Sequence, residues 1–252
     1  MSNFVVNPYL SVAGGLDDDS ELKAYWKCDE ASTPILNSSV SDDSLGSAAQ
    51  WAVTNGTFAT GSPPLNTALE FDGGDTYAKA GTSLDQWNFM HDTSALFTMV
   101  WWLKLTSLNP DAQFINTTQS SVQAGMGITL NTDESMSFRI YNKAGEATAV
   151  STSASFMPDA DNWYFYTLRY NESLGSTNAV WRRDDANQET GNKGAASPSD
   201  DNAGNPLTIG AKVNLSEQFM YAQVNEVSNW NKTLSADDET ELYNGGAGLE
   251  IY

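Results

Sequence analysis

The acids are the first residues to test for chemistry, because Asp and Glu outnumber Lys and Arg by 32 to 12 in the 252 residues. A retaining glycosidase needs two carboxylates about 5 Å apart, and acids at alternating positions of a strand would share one face. No strand-like stretch carries acids at three alternating positions. The acids at 17–21 and 237–241 lie beside turn or helix signals, while Asp159 and Asp161 follow Pro158 in a predicted loop. The sequence therefore argues against glycoside hydrolysis.

The acids at 237–241 have a structural explanation instead. Ser235 is a good N-cap for a helix over about 236–243, and Asp238 stands three residues further on, as in a capping box. The three acids at 237–239 then lie in the first turn, where the helix dipole favours negative charge by about 0.3–1 kcal/mol each. The glycine pair at 245–246 is predicted to end the helix. No catalytic role is needed for this cluster.

The chain has one cysteine, Cys28, and one histidine, His91. A zinc site built from Cys and His needs more ligands than these two, and one cysteine forms no intramolecular disulfide. A Cys28–His91 pair lacks a supporting motif, and no nucleophile elbow accompanies His91. We therefore predict no catalytic residues, with a buried thiol at Cys28 and a surface or capping role for His91.

The charge of the chain excludes several partners. The formal net charge is −20, and twelve Lys and Arg do not form a basic stripe, so nucleic acid and anionic membranes are poor partners. No apolar run approaches the roughly 20 residues of a membrane helix. The first residues lack the basic and apolar regions of a signal peptide. We expect a protein that does not use the secretory route, unless a leader has been removed.

Short apolar runs alternate with turn signals along most of the chain, which indicates an all-β sandwich. The segment LKAYWKC at 22–28 places alternate apolar residues on one face. Residues 1–20 are predicted to form an N-terminal arm, and residues 21–252 a single domain. The polar segment at 185–205 is predicted to be a long loop, of the kind that is functional or flexible. Further strands are predicted at 67–71, 96–105, 125–130, 136–142, 147–152, 163–171, 178–184, 207–212 and 218–230.

Four segments resemble, in order and spacing, the LamG-like jelly rolls of the concanavalin A-like lectin/glucanase superfamily. The resemblance covers residues 22–246 and implies two antiparallel sheets stacked face to face, an all-β jelly-roll sandwich with one short helix near the C-terminus. Asn225 stands where this family usually has Asp. The segments are AYWKCDE (24–30), ALEFDGGDTYAKA (68–80), FTMVWWLKL with WYFYTLRYN (97–105 and 163–171), and LTIGA with VNEVSNWNKTLSADDETELY (207–211 and 224–243).

The resemblance also implies a structural calcium site. In relatives a cation joins the opening strand, the Phe-Asp-Gly turn and the closing strand, which here correspond to Asp29, Asp72 with the carbonyl of Gly73, and Asn225. Side-chain and backbone oxygens of this kind suit Ca²⁺. The neutral amide oxygen of Asn225 would weaken such a site. The alternative is a hydrogen-bonded turn without metal.

In this superfamily ligands bind on the concave sheet face or on the loop rim. Sugar rings stack on flat aromatic side chains beside a few fixed polar groups. Trp87, Tyr141 and Trp181 lie near predicted loops or strand ends, so they are the candidates for glycan stacking. The alternative for each of them is a place in the core of the sandwich.

Three functions remain open at this point. The first is a virion surface protein of a tailed phage, decorating a capsid or forming part of a fibre, with the arm at 1–20 binding capsid or tail proteins. Such a protein would work as a homo-oligomer or within a larger assembly. The second is a cell-surface or secreted carbohydrate-binding lectin module. The third, a glycoside hydrolase, lacks its carboxylates.

Overall fold

The structure is a computed structural model of the chain. The predicted arm at 1–20 lies largely outside the described residues, so the division into an arm and one domain stays a prediction. The described residues are 16, 19–30, 32–39, 44–61, 67–81, 83–109, 111–118, 123–142, 145–157, 160–194, 198–249 and 251.

Two antiparallel sheets form the fold, as predicted. In sheet A the strand order is β13-β12-β11-β6-β15-β4-β3, and β1 also pairs with β15. The second half of β15 pairs with β1, whereas its first half pairs with β4. Glu226, with a left-handed φ of 51°, lies where the partner changes. The strands are β1 (Leu22–Trp26), β3 (Thr57–Thr60), β4 (Thr67–Asp72), β6 (Leu96–Ser107), β11 (Trp163–Asn171), β12 (Ala179–Arg183), β13 (Asn187–Gly191) and β15 (Tyr221–Trp230).

Sheet B has the strand order β10-β9-β8-β7-β14-β5-β2. Its strands alternate between apolar residues that face sheet A and residues that face outward, as the period of two in a strand requires. The strands are β2 (Trp51–Thr54), β5 (Tyr77–Ala80), β7 (Ala112–Asn116), β8 (Gly125–Leu130), β9 (Met136–Asn142), β10 (Gly145–Ser151) and β14 (Leu207–Ile209).

Aromatic side chains fill the space between the two sheets. Trp26 packs against Trp51 with ring centroids 4.9 Å apart, and Trp101 packs against Phe114 at the same distance. All four rings are fully buried. Each buried aromatic side chain removes a large apolar area from water, so these rings supply much of the stability that a chain without a disulfide needs.

A second apolar layer covers the outer face of sheet A. The one α-helix of the described residues, α1 (Ala236–Tyr243), packs there through Leu242 against Trp102 and Phe165. Leu16 near the start of the chain and Ile251 near its end join the same cluster. Sheet A is therefore closed on both faces in this region.

Four short strands were not predicted, and one predicted loop is partly a strand. The strands β2, β3, β5 and β7 have four or five residues each, which leaves few alternating positions. Within the predicted loop at 185–205, residues 187–191 form the edge strand β13. Its residues are polar because an exposed edge strand buries little, so its sequence resembles a loop.

The helix follows its prediction closely. Ser235 accepts a hydrogen bond from the Asp238 amide, and the Asp238 carboxylate accepts one from the Ser235 amide, which completes the capping box. The end of the helix differs. Asn244 adopts the left-handed conformation with φ 48°, so it caps the helix one residue before the predicted glycine pair. Asn tolerates this conformation because its short polar side chain makes local hydrogen bonds.

Candidate ligand-binding surface

The outer face of sheet B is the larger candidate surface, since α1 packs on sheet A. One cross-strand row runs over this whole face, with Arg139 on β9 and Lys79 on β5 as its long side chains. Both are half-buried. Small or uncharged residues lie between and beside them. The full row is Ala149, Arg139, Gly127, Asn116, Thr208, Lys79 and Ala52.

Two tyrosines flank this row on opposite sides. Tyr141 lies two residues after Arg139 on β9, and Tyr77 lies two residues before Lys79 on β5. Four antiparallel steps separate the two strands, so β9 and β5 run in the same direction. The half-buried tyrosines therefore lie diagonally across the face, each next to a cation. The arrangement offers aromatic surface and hydrogen-bond donors along one line.

A pocket opens at the rim next to Tyr141. It has a volume of about 390 Å³ and is lined by Leu84, Gln123–Ala124 and residues 201–204. Ala124 leads directly into β8, whose first residue Gly125 pairs with Tyr141. The side chains of Thr117 and Thr118 fill the space beside Gly125. The pocket and Tyr141 thus lie at the same end of sheet B.

Hydrogen bonds between distant parts of the chain hold one wall of this pocket. Asn88 donates to the Asn202 side-chain oxygen at 2.8 Å. The amide and hydroxyl of Thr93 both donate to one carboxylate oxygen of Asp200, at 2.9 and 2.5 Å. These donors lower the pKa of Asp200. We call this set of contacts between residues 88–93 and 200–202 the latch.

His91 lies behind the latch and is fully buried. Its Nε2 lies 3.2 Å from the carbonyl oxygen of Asp201, so Nε2 is the donor. Its Nδ1 has no hydrogen-bond partner among the described residues. Burial lowers the pKa of His91, although the Asp201 carbonyl and the charge of Asp92 oppose that shift. His91 does follow the short helical turn at 88–90, but its predicted surface position is wrong because the 200–202 segment covers it.

A family model described as the concanavalin A-like lectin/glucanases superfamily matches residues 72–238. The chain belongs to this superfamily. No curated protein matches the sequence. The match begins at the last residue of β4 and ends in α1, so it includes sheet B from β5 to β14 together with the pocket.

Solved structures with a similar fold include several binding domains of toxins. The binding domain of Paraclostridial Mosquitocidal Protein 1 aligns with a TM-score of 0.65 at 13% identity, over 90% of this chain and 52% of that one. The binding domain of botulinum neurotoxin serotype D aligns with a TM-score of 0.60 at 11% identity, over 90% and 51%. The chain spans about half the length of these domains, and identities this low show the fold alone.

A third similar structure is the binding domain of botulinum neurotoxin DC, solved in complex with SialylT. It aligns with a TM-score of 0.61 at 14% identity, over 89% of this chain and 51% of that one. These structures share the fold of the present chain.

The three residues predicted to stack on glycans differ in their exposure to solvent. Trp87 and Trp181 are 1% and 0% exposed, so their prediction as glycan-stacking residues is wrong. Trp87 packs against Trp26 and lies inside the sandwich, because its position near a loop does not bring its ring to the surface. Tyr141 is half-buried on the outer face of sheet B, and its role in glycan stacking stays a prediction.

The four predicted calcium ligands do not form one site. Asp72 pairs with Tyr221 on β15, and Asn225 lies four residues further along that strand, which is roughly 13 Å at 3.3 Å per residue. Asn225 instead donates to the carbonyl of Thr67 at the other end of β4. No cluster of three or more His, Cys, Asp or Glu suited to a metal occurs in the described part of the chain. Calcium binding elsewhere in the protein stays a prediction.

Local hydrogen bonds explain the positions of the other proposed ligands. One Asp72 carboxylate oxygen accepts from the amides of Gly74, Asp75 and Thr76, which lowers the pKa of Asp72. The Gly73 carbonyl accepts from the Asn109 side chain at 3.3 Å. The Asp-Gly turn is thus the hydrogen-bonded turn that the sequence left as the alternative.

Asp29 and Cys28 lie at the other end of β4. The Cys28 carbonyl accepts from the Thr67 hydroxyl at 3.3 Å, so the exposed residue Asp29 is near Thr67 rather than near the Asp-Gly turn. Burial raises the pKa of the Cys28 thiol well above its usual range, with a smaller contribution from Glu30. A thiol held protonated is a poor nucleophile, which agrees with the predicted buried thiol.

Lys79, Arg139 and the pocket residues were not predicted from the sequence. Lys79 and Arg139 each lie between alternating apolar residues of a strand, at 78 and 80 and at 138 and 140. That alternation places them on an outward face, and it could have identified them. The pocket residues gave no such signal because they come from three separate loops.

Proposed function

We propose that this chain is a non-enzymatic carbohydrate-binding module that binds glycans along the outer face of sheet B and the adjoining rim pocket. The strongest support is the combination of groups on this surface. Tyr141 lies at the same end of sheet B as a pocket of about 390 Å³, and amide side chains and cations lie along the same face of the sheet. Sites for sugars combine a concave shape and aromatic surface with a few fixed polar groups.

The scarcity of carboxylates on this surface supports a binding role rather than hydrolysis. The outward positions of β2, β5, β14, β7, β8 and β9 carry no Asp or Glu. Glu146 pairs with Tyr141 from the neighbouring β10, and no two carboxylates share one of these strands. A glycosidase would need two carboxylates on one face of its cleft. The proposed function is therefore binding without catalysis.

A glycan array with the purified chain tests the proposal, with Tyr141→Ala as the informative variant. Stacking on an aromatic ring contributes about 0.5–1.5 kcal/mol beyond simple burial, so we expect binding to weaken about two- to tenfold. Tyr221→Ala is the matched control because it removes a half-buried tyrosine from sheet A. Absence of binding to every glycan, or equal losses in both variants, would overturn the proposal. Repeating the array with EDTA tests the calcium prediction.

Placement on a virion surface stays a prediction. It depends on capsid or tail proteins that bind the arm at 1–20, which lies mostly outside the described residues. Deleting residues 1–20 and measuring incorporation into a shell tests it, and unchanged incorporation would contradict it. No helix in the described part of the chain is long and apolar enough to cross a membrane.

A further inference from the structure

Backbone hydrogen bonds hold together the three chain segments that form the rim pocket. The amide of Ala203 donates to the carbonyl of Leu84 at 3.2 Å, and the amide of Gly204 donates to the carbonyl of Ala124 at 2.9 Å. These two bonds fasten the segment at 201–204 to both of the other segments. The pocket is therefore largely preformed, and a preformed site loses less conformational entropy when a ligand binds.

Part of the pocket wall is aliphatic. Leu84 is 42% exposed, which makes it one of three large exposed apolar side chains in the described part of the chain. Ala124 and Ala203 line the same pocket. No aromatic side chain occurs among the described residues that line it, so a sugar ring does not stack here as it would on a tyrosine. A wall of small aliphatic groups suits a methyl-sized substituent of a sugar instead.

Asn202 supplies a fixed hydrogen-bond donor at the pocket. The Ala203 amide also donates to the side-chain oxygen of Asn88 at 3.4 Å, so the nitrogen of Asn88 is the atom that donates to Asn202 Oδ1 at 2.8 Å. The latch therefore holds the oxygen of the Asn202 side chain, and its Nδ2 is the group left to donate to a ligand. Asn202 is exposed and lines the pocket. A donor placed in this way selects for an acceptor such as a carbonyl oxygen.

The charge at the pocket is negative. Asp201 lines it and accepts a hydrogen bond from the Ser199 hydroxyl at 2.6 Å, while Asp200 next to it belongs to the latch. The described residues that line the pocket include no Lys or Arg. Screening by salt acts over about 8 Å at physiological ionic strength, so it removes only part of the repulsion between Asp201 and an anion in the same pocket. A neutral ligand is therefore favoured over one with its own carboxylate.

We propose that the rim pocket binds a neutral N-acetylated sugar and recognises it through the acetamido group. This inference rests on the proposed glycan-binding function and specifies its ligand class. An acetamido group combines a carbonyl oxygen, which accepts from Asn202 Nδ2, with a methyl group that packs against Leu84 and Ala203. The pocket volume of about 390 Å³ is near the lower end of the range of about 300–1,000 Å³ for small-molecule sites, which suits one sugar ring with its substituent.

Pairs of neutral sugars that differ only in this substituent test the inference by isothermal titration calorimetry. Chitotriose is compared with cellotriose, and the methyl glycoside of N-acetylgalactosamine with that of galactose, so that an acetamido group replaces a hydroxyl in each pair. We expect the N-acetylated member of at least one pair to bind about tenfold more tightly, because it adds a hydrogen bond and a buried methyl group. Saturation-transfer NMR should then place the acetamido methyl protons among those nearest to the protein.

Two variants at exposed positions of the pocket, each with a matched control, assign the effect to this site. Asn202→Asp removes the donor but keeps the oxygen that accepts from Asn88, so it should weaken binding of the N-acetylated sugar about two- to tenfold. Asn187→Asp makes the same charge change at an exposed position of β13 and should have no effect. Leu84→Ala should reduce the preference for the N-acetylated member. Leu174→Ala should not, since Leu174 is similarly exposed, at 44%, and does not line the pocket.

The outcomes separate this inference from the proposed function. Equal binding of both members in every pair would overturn the acetamido preference, and so would equal losses in the pocket variants and their controls. Hits on the glycan array that all lack an N-acetyl group, or that are all anionic, would overturn it as well. In each of these cases the glycan-binding function stands. Absence of binding to every glycan would overturn both.

Discussion

Glu239 shows what a single buried carboxylate does in this protein. It is fully buried at the junction of α1 and sheet A. Its carboxylate lies 3.1 Å from Arg169 Nε and 3.4 Å from Arg182 Nη1, and it accepts a hydrogen bond from Thr167 at 2.6 Å. Every partner comes from β11 or β12. The acid therefore orients the helix on the sheet, in addition to any effect on the helix dipole.

Removing this carboxylate should be strongly destabilising. Breaking a buried ion pair by deleting one partner costs about 3–5 kcal/mol, because the other charge is left uncompensated. We expect Glu239→Ala to lower the free energy of unfolding by that amount in urea denaturation. Glu241→Ala is the matched control, since Glu241 is exposed on the same helix and surface changes stay within about 0.5 kcal/mol. Equal losses in both variants would show that the buried pairs contribute little.

The role of Glu239 also shows the limit of prediction from sequence at this scale. The capping box fixed the start of the helix because Ser235 and Asp238 are three residues apart, a spacing that can be read directly. Burial of Glu239 depends on Arg169 and Arg182, which are 70 and 57 residues away in the chain. Local patterns do not report such contacts, so the three acids of the first turn appeared equivalent.

At the scale of elements, the rim pocket depends on two segments that the sequence does not link. The latch joins residues 88–93 to 200–202, and these segments are more than a hundred residues apart. Strand alternation predicted β8, β9, β10 and β14 of sheet B but not the shorter β2, β5 and β7. Loops carry no comparable periodicity. Sequence patterns therefore could not predict the pocket or the burial of Trp87.

The latch should weaken at acidic pH because of His91. Its folded pKa lies below the usual value of about 6.5, because burial disfavours the charged ring. The stability that the neutral ring provides is therefore complete above about pH 6.5 and is lost as the pH falls towards the folded pKa. We expect faster hydrogen exchange in residues 198–205 at pH 5 than at pH 7.5, after correction for the intrinsic exchange rate.

His91→Gln is the control for this effect, because glutamine keeps polar atoms but does not titrate in that range. The charged groups near His91 are Asp92, Asp200 and Asp201. Hydrogen bonds lower the pKa of Asp200, so its contribution is lost only at pH values below the usual carboxylate range. A pH dependence of the same size in the His91→Gln variant would exclude the histidine as its cause.

At the scale of the whole molecule, the outer faces of the two sheets differ in what covers them. Sheet A is closed by α1 and by residues near both ends of the chain, Leu16 and Ile251, in one apolar cluster. Sheet B keeps a polar outer face and carries the pocket at its rim. The family resemblance predicted the two sheets. Which sheet has a covered outer face and which an open one became clear only from the packing of α1 on sheet A.

The net charge of −20 should make the folded chain sensitive to salt. Self-repulsion destabilises a compact state of high charge, and raising NaCl from about 10 to about 150 mM shortens the Debye length from about 30 to about 8 Å. The buried pairs of Glu239 are screened far less than exposed acids are. We therefore expect the melting temperature to rise, by about 2–4 °C for each kcal/mol gained, as measured by calorimetry at pH 7.5.

The same measurement near the isoelectric point separates screening from other effects of salt. At a pH close to the sequence pI of about 4.1, the net charge nearly vanishes and the repulsion disappears. The stabilisation by NaCl should then become small or change sign, because the remaining ion pairs are weakened by screening. A salt effect of equal size at both pH values would show that repulsion among the 32 acids does not limit the stability of this fold.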